Sequence, residues 1–290
     1  MFSISLDSPC PCGSTLRGSD CCWITSKFHK ESSKVTPKPP RTNHSLTRCY
    51  ASVLADCSIK ISREHFISES LLNYLNRDKN LLISGFPWVD SGGKSLPPSS
   101  LTSKILCERH NSSLSPLDSI AVRLFNAFDE RGATGSGQKL LYLFNGHDLE
   151  RWLLKILCGF ACSGSLPLDF DRDISIPKGW CEILFGNSDF APNQGLYVCK
   201  DIGHQFKARG DLAFMAITNN ERLTGFGMYI CGYELILSMS GMPNRRFDGR
   251  QFAYRPFEFY TTGSQYEKSV LFSWDGPSDN GTIVSEIKAE

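Results

Sequence analysis

An α+β protein is predicted, on three observations: a helix-period stretch in the first half, a succession of short apolar runs after Pro167, and a small cysteine-rich head. Leu117, Ile120, Ala121, Leu124 and Phe128 recur at helical spacing and predict a helix that buries one face. A second helix is expected to start from a cap at Asn145 or at His147-Asp148 and to run to about Cys162. Beyond Pro167 come Cys181-Glu182-Ile183-Leu184-Phe185, Gly195-Leu196-Tyr197-Val198-Cys199, Leu212 to Ile217, Met228-Tyr229-Ile230-Cys231, Tyr233 to Leu237 and Ser269-Val270-Leu271-Phe272. Gly, Asn and Pro separate these runs, which read as strands of a β-rich, antiparallel unit. Four segments follow: a cysteine-rich head at 1–24, a Pro/Ser-rich basic linker at 25–47, a compact module at 48–130, and an α+β unit at 140–290.

At 290 residues the chain has room for two or three domains with ordinary cores. A hydrophobic content of 41% with 21% charged residues describes a globular chain and excludes a disordered one. The formal net charge of +1 gives no global pull towards nucleic acid. Lys27, Lys30, Lys34, Lys38, Arg41 and Arg48 nevertheless crowd one segment, opposed there only by Glu31. That segment suits either contact with a phosphate backbone or a solvated linker. Met1 to Ser8 shows no basic region followed by an apolar core, so no signal peptide is expected. The longest apolar run, Trp152 to Ala161, is short of the roughly 18 residues of a membrane span and contains Lys155. A cytoplasmic location without membrane contact follows as an expectation. In that compartment the 12 cysteines are expected as metal ligands or buried thiols rather than disulfides.

The head carries Cys10-Pro11-Cys12-Gly13-Ser14 and then Cys21-Cys22. A segment this short cannot build a hydrophobic core and needs a staple, for which zinc held by four thiolates is the reducing-compartment solution. The spacing resembles the SEC-C motif, a zinc knuckle, whose four ligands fall on Cys10, Cys12, Cys21 and Cys22. Members of that family carry several lysines between the two pairs; here the interval Gly13 to Asp20 has only Arg17. That weakens the case for direct nucleic-acid contact, and docking to another protein or to the rest of the chain is equally open.

Ser62-Arg63-Glu64-His65-Phe66-Ile67 and Leu106-Cys107-Glu108-Arg109-His110-Asn111 carry the chemistry of the module. Phosphodiester hydrolysis needs a base of near-neutral pKa and a cation to neutralise charge on the phosphate, and an acid beside a histidine suits both demands. The two stretches resemble the HNH, or ββα-metal, endonuclease family. The resemblance implies a β-hairpin followed by a helix, with His65 as general base and Glu64 and Asn111 holding a divalent ion, Mg²⁺ or Mn²⁺. The place of the family's central asparagine, which orients the base, falls on Thr102. Residues 69–98, with Phe86-Pro87-Trp88, read as an insertion in the hairpin. Cys107-x-x-His110 has the spacing of a zinc pair, and Cys49 with Cys57 completes a second structural zinc site. The bland alternatives are a core histidine at His65 and a helix cap at His110.

The resemblance thus implies a divalent-metal-dependent endonuclease cutting DNA, with a place in bacterial anti-phage defence. The rival expectations are a non-catalytic, zinc-dependent nucleic-acid-binding module and a protein-docking adaptor. In the C-terminal half, Cys158 and Cys162 share a helix face and suit either a metal pair or buried small residues. His147 and His204 read as surface or cap residues. Lys200, Lys207, Arg209, Arg245, Arg246, Arg250 and Arg255 interleave with Phe247, Phe252, Tyr254 and Phe257. That pattern suits either backbone contact with base stacking or an ordinary sheet with a charged outer face.

Overall fold

The computed structural model describes residues 6–25, 27–76, 82–85, 89, 92–95, 97–128, 138–164, 175–200, 211–220, 222–242, 245–262, 266–279 and 281–286. The head forms a short antiparallel pair, β1 (Trp23–Ile24) and β2 (Lys27–Phe28). The module contributes β3 (Ile61–His65), α1 (Glu69–Leu75), β4 (Leu82–Ser84), β5 (Lys94–Ser95), β6 (Thr102–Cys107), α2 (Glu108–Ser113) and α3 (Ser115–Phe128). There follow β7 (Gln138–Asn145), α4 (Gly146–Ser163), α5 (Lys178–Leu184), β8 (Gly195–Cys199), β9 (Asp211–Asn219), β10 (Arg222–Ile230) and β11 (Tyr233–Ser238). The last strands are β12 (Arg246–Phe247), β13 (Arg250–Tyr254), β14 (Glu258–Thr262), β15 (Tyr266–Ser273) and β16 (Thr282–Glu286).

Two larger sheets organise the α+β fold. An eight-stranded sheet runs β12-β13-β8-β11-β10-β9-β4-β5, and a four-stranded sheet runs β16-β14-β15-β7. Most neighbours are antiparallel, as expected, but β4 joins β9, β16 joins β14 and β7 joins β15 in parallel. Parallel joins need long crossovers, and they bring strands from distant parts of the chain side by side. The β10–β11 hairpin closes through Cys231-Gly232, both at positive φ (50° and 83°), the backbone that matches the strand twist in a two-residue turn. A third, two-stranded ribbon pairs β3 with β6.

The helix expected around Leu117 is α3, with Leu117, Ala121, Leu124 and Phe125 buried. The helix expected after Asn145 is α4. Asn145 caps it, its Oδ1 accepting from the amides of His147 (2.9 Å) and Asp148 (3.3 Å), and Gly164 closes it in the left-handed region. The run Cys181 to Phe185 is not a strand: it lies in α5 and its C-cap. Its apolar residues are equally compatible with a buried helix turn, and Pro177 stands directly before the first helical residue, where its missing N–H costs nothing. The segment expected as an insertion is built into the core. Leu71 and Leu72 of α1 are buried, and Ile83 of β4 pairs with Leu212 in the large sheet. Phe86-Pro87-Trp88 lies outside the described residues.

Residues 27–47 are extended and tied to the fold. The Ser33 amide and hydroxyl both donate to Asp148 (2.8 and 3.1 Å), Val35 is buried in the main core, and the Thr36 hydroxyl donates to the Phe185 carbonyl (2.9 Å). Asp148 sits at the first turn of α4, where the helix dipole favours a carboxylate.

α4 is enclosed from Asp148 to Ala161 and packs on α3, α5, β6, β7, β10 and β11. Phe160 carries the packing between layers, with Phe66 on one side (ring centroids 5.2 Å apart) and Phe214 on the other (5.0 Å). Gly159 permits this approach, since a β-carbon there would lie 3.0 Å from the Phe66 ring. A helix buried all round must match every polar side chain it carries. Arg151 donates from Nε to the Ile183 carbonyl (3.1 Å). Glu150 accepts from Arg255 Nε (2.8 Å) and Nη2 (3.1 Å) and from the Leu196 amide (2.8 Å), and contacts His147 Nδ1 at 2.9 Å. His147 is therefore no surface residue: it is spent on Glu150 and on the backbone of Asp275 (3.1 Å). Arg255→Ala, with zinc kept saturating, is expected to lower the unfolding free energy in a urea titration by about 3–5 kcal/mol, because Glu150 would be left a buried and under-compensated carboxylate.

Candidate metal centres and the Glu64–His65 ribbon

The first centre is built by the head. Its turn places Gly13 at φ 81°, with the Gly13 amide on the Cys10 carbonyl (3.0 Å) and the Cys10 amide on the Leu16 carbonyl (2.8 Å). Cys10, Cys12, Cys21 and Cys22 converge, their sulfurs within 4.8 Å of one another. Cys21 Sγ lies 3.6 Å from both Cys12 Sγ and Cys22 Sγ. Tetrahedral zinc with bonds of about 2.3 Å sets a sulfur–sulfur spacing of about 3.8 Å, so the cluster has the right size. Burial raises the Cys12 thiol, but hydrogen bonds from Ser14, Cys10 and Cys21 outweigh it and bring it down to about 6, towards the thiolate a metal requires.

This head docks on the rest of the chain. The Pro11 carbonyl accepts from the Leu143 amide of β7 (2.9 Å) and from Arg123 Nη2 of α3 (3.3 Å). Cys10, Cys12, Cys22 and Phe28 form a small separate core with Leu143 and Leu271. The chain itself is thus one docking partner of the head.

The second centre joins the loop before β3 to the start of α2. Cys49, Cys57, Cys107 and His110 are all buried, with their donor atoms within 4.8 Å of one another. His110 Nδ1 faces Cys107 Sγ (3.3 Å), Cys49 Sγ (3.5 Å) and Cys57 Sγ (3.8 Å). Three thiols and one imidazole nitrogen form a closed structural zinc set. A hydrogen bond from the Cys49 thiol, aided by His110, lowers Cys107, while the same bond with burial raises Cys49. Cys107 also caps α2, accepting from the His110 amide at 3.5 Å. His110 is thus no bare helix cap; its ring is wholly buried and tilted against Phe185 (centroids 4.7 Å).

The loop that supplies Cys57 is clamped onto the same helix. Arg109 meets Asp56 in a bidentate pair (3.1 and 3.1 Å) and donates to the Lys38 carbonyl (2.6 Å). Asp56 further accepts from the Thr42 amide (2.8 Å). Although burial raises the Asp56 carboxyl, these bonds and the Arg109 charge bring it below the ordinary aspartate range.

β3 and β6 run antiparallel with His65 opposite Thr102 and Glu64 opposite Ser103, and α2 follows β6 directly. A register irregularity separates Ser62 from Glu64. Strand alternation sends Glu64 inward, where it is 3% exposed, and leaves His65 half-buried. His65 Nε2 has no hydrogen-bond partner among the described residues and stands 4.0 Å from Glu69 Oε2. Burial lowers the His65 imidazole, opposed by the Glu69 charge. The Thr102 hydroxyl donates to the Ser99 carbonyl (2.9 Å) rather than to His65. Asn111 stands on α2 next to His110, half-buried, and its carboxamide makes no hydrogen bond among the described residues.

Glu64 meets a residue that sequence reasoning missed. Lys155, in the middle of α4, places its ammonium 2.8 Å from Glu64 Oε1 and 2.7 Å from both oxygens of Asp118. Asp118 also accepts from the Ser68 hydroxyl (2.7 Å), which in turn accepts from Trp152 Nε1 (3.3 Å). Burial pulls the ammonium down, but Glu64 and Asp118 more than offset it and hold Lys155 above the ordinary lysine range. Burial likewise raises Glu64 despite the attraction of Lys155. The signal was present in the chain: a lysine inside an apolar helical run needs a buried carboxylate.

In the arginine–aromatic stretch Phe257 is exposed and Phe247 half-buried, while other members are engaged within the fold. Phe252 and Tyr254 are buried, Arg255 is spent on Glu150, Arg250 pairs with Glu234 (2.8 Å), and Arg245 pairs with Asp279. Lys207, Arg209 and His204 lie outside the described residues. Cys158 is a buried thiol that burial pushes well above its ordinary range, and neither it nor Cys162 joins a metal-holding cluster among the described residues. No described helix is long and apolar enough to cross a membrane.

Metal analysis of the purified protein by mass spectrometry is expected to give two zinc ions per chain. Cys107→Ser and Cys12→Ser are each expected to reduce that to one, with Cys107→Ser lowering the melting temperature more, because its centre joins α2 to the main core. Comparison with protein-family models, with curated proteins and with solved structures finds no match.

Proposed function

We propose that the protein acts on DNA through a ββα-metal-type module spanning the β3–β6 ribbon and α2, and that its reaction is hydrolysis of the phosphodiester backbone. The observation that carries this reading is the Cys49–Cys57–Cys107–His110 cluster, which pins the start of α2 to the loop leading into β3. The ribbon beside it carries a half-buried imidazole whose Nε2 is itself shielded from solvent and is unengaged among the described residues. In this reading His65 takes the proton from the attacking water; burial, which lowers its pKa, keeps the neutral form that a base needs at neutral pH. Thr102 stands across the ribbon from His65, and Asn111 follows the buried zinc ligand His110. Exposed Arg63 and Lys104 on the two strands offer charge to a phosphate backbone. A defence role against invading DNA is the biological setting we attach to the reading.

A divalent ion on Glu64, which the family resemblance implies, does not fit this arrangement. Its carboxylate is directed into the core, and Oε1 is engaged by Lys155 at 2.8 Å. The same pairing favours a second reading, in which the frame binds nucleic acid without cutting it.

Incubating supercoiled plasmid with the zinc-loaded protein, with and without added Mg²⁺ or Mn²⁺, separates the two. Hydrolysis predicts nicked or linear product from the wild type and at least a hundredfold slower cleavage by His65→Ala, whose zinc content and melting temperature stay unchanged. Equal cleavage by His65→Ala would remove the histidine from the reaction. Plasmid retention without cleavage would establish the binding-only reading.

A further inference from the structure

We infer that Lys155 is the resident cation of the Glu64–Asp118 carboxylate pair, and that it excludes a divalent ion from Glu64. The inference rests on the ββα-metal reading for its meaning, since that frame is what makes a cation at Glu64 matter. Its geometry stands independently. The ammonium touches three carboxylate oxygens, at 2.7, 2.7 and 2.8 Å, and its side chain is 2% exposed. Two of these contacts are hydrogen bonds, to the two Asp118 oxygens, and the third is a charge contact to Glu64 Oε1, which makes no hydrogen bond among the described residues.

The alternative occupant is disfavoured on two grounds. A divalent ion binding Glu64 Oε1 would have to stand where the ammonium stands, or push it away. Lys155 has nowhere to withdraw to: it rises from the centre of α4, a helix enclosed from Asp148 to Ala161, and moving it would strand a charge among Phe and Leu side chains. The carboxylates are also fixed from behind. Ser68 donates to Asp118 and is itself held by the Trp152 indole, so Asp118 is turned towards the lysine. Glu64 is held by pairing of β3 with β6 across Ser103. One helix, one ribbon and the first turn of α3 therefore meet at a single fixed positive charge.

Lys155 is on this account a positioning residue. It sets the charge and direction of Glu64 beside His65, and it makes the centre independent of divalent supply at that carboxylate. Asp118 is more exposed than either partner, with 28% of its side chain accessible, so the cluster reaches solvent on the Asp118 side.

The test uses the full-length, zinc-loaded protein and Mn²⁺ as probe, followed by electron paramagnetic resonance titration of free Mn²⁺. Wild type and Glu64→Gln are expected to give the same Mn²⁺ affinity within a factor of two. Lys155→Met is expected to bind Mn²⁺ at least tenfold more tightly than wild type, and the double variant Lys155→Met/Glu64→Gln to lose that gain. A tenfold weaker Mn²⁺ affinity in Glu64→Gln than in wild type would overturn the inference, because Glu64 would then already hold the ion. An unchanged affinity in folded Lys155→Met would overturn it too. Should Lys155→Met fail to fold, the comparison of wild type with Glu64→Gln decides alone. None of these readouts depends on cleavage, so absence of nuclease activity in the plasmid assay would count against the hydrolytic reading and leave this inference to the titration.

Discussion

The enclosure of α4 is the constraint on which the rest of the molecule depends. A helix surrounded by protein has no water to satisfy its polar side chains, and α4 carries Asp148, Glu150, Arg151 and Lys155 in its buried stretch. Each is matched by a different part of the chain: Asp148 by Ser33, Glu150 by Arg255 and the Leu196 amide, Arg151 by the Ile183 carbonyl, Lys155 by Glu64 and Asp118. Those partners lie in the extended N-terminal segment, the C-terminal sheet, α5, the β3–β6 ribbon and α3. Buried ionic matches contribute little net stability against apolar replacements, but a mismatch is costly, so they select one arrangement of the layers over its neighbours.

The two cysteine-rich clusters do a different job. Each gathers residues that a hydrophobic core could not hold, either because the segment is too short, as in the head, or because two loops and a helix start must meet at a point, as around His110. Zinc at the second centre would link the orientation of α2 to the loop before β3, and Arg109 with Asp56 already joins the same pieces electrostatically. The ribbon therefore has support on one side from the cysteine–histidine cluster and on the other from α4, through Phe66 against Phe160 and Glu64 against Lys155. A half-buried imidazole held on such a frame is oriented by structure rather than by its own hydrogen bonds.

Glu64 and His65 show how adjacent residues take opposite parts. Alternation along β3 turns one into the interior and leaves the other partly open. The inward carboxylate acquires a built-in counter-charge, and the outer imidazole keeps a nitrogen unengaged among the described residues. The charge relations of the module are thereby met within the protein.

Local information in the chain was enough for local structure. Cysteine spacing marked both clusters, because metal geometry demands donors at short, fixed separations, and the apolar period marked α3 and the Asn145-capped α4. Five of the six apolar runs after Pro167 became strands, in whole or nearly so, while Cys181 to Phe185 became a helix, since a short buried run carries no period that distinguishes the two. What only the tertiary structure decided were pairings between residues far apart: β7 beside β15, β4 beside β9, Arg255 on Glu150, and Lys155 between Glu64 and Asp118. No short-range pattern encodes such partners. The charge pairings follow from enclosing α4 between Asp148 and Ala161, which forces every charge in that stretch to find a polar partner wherever the folded chain brings one.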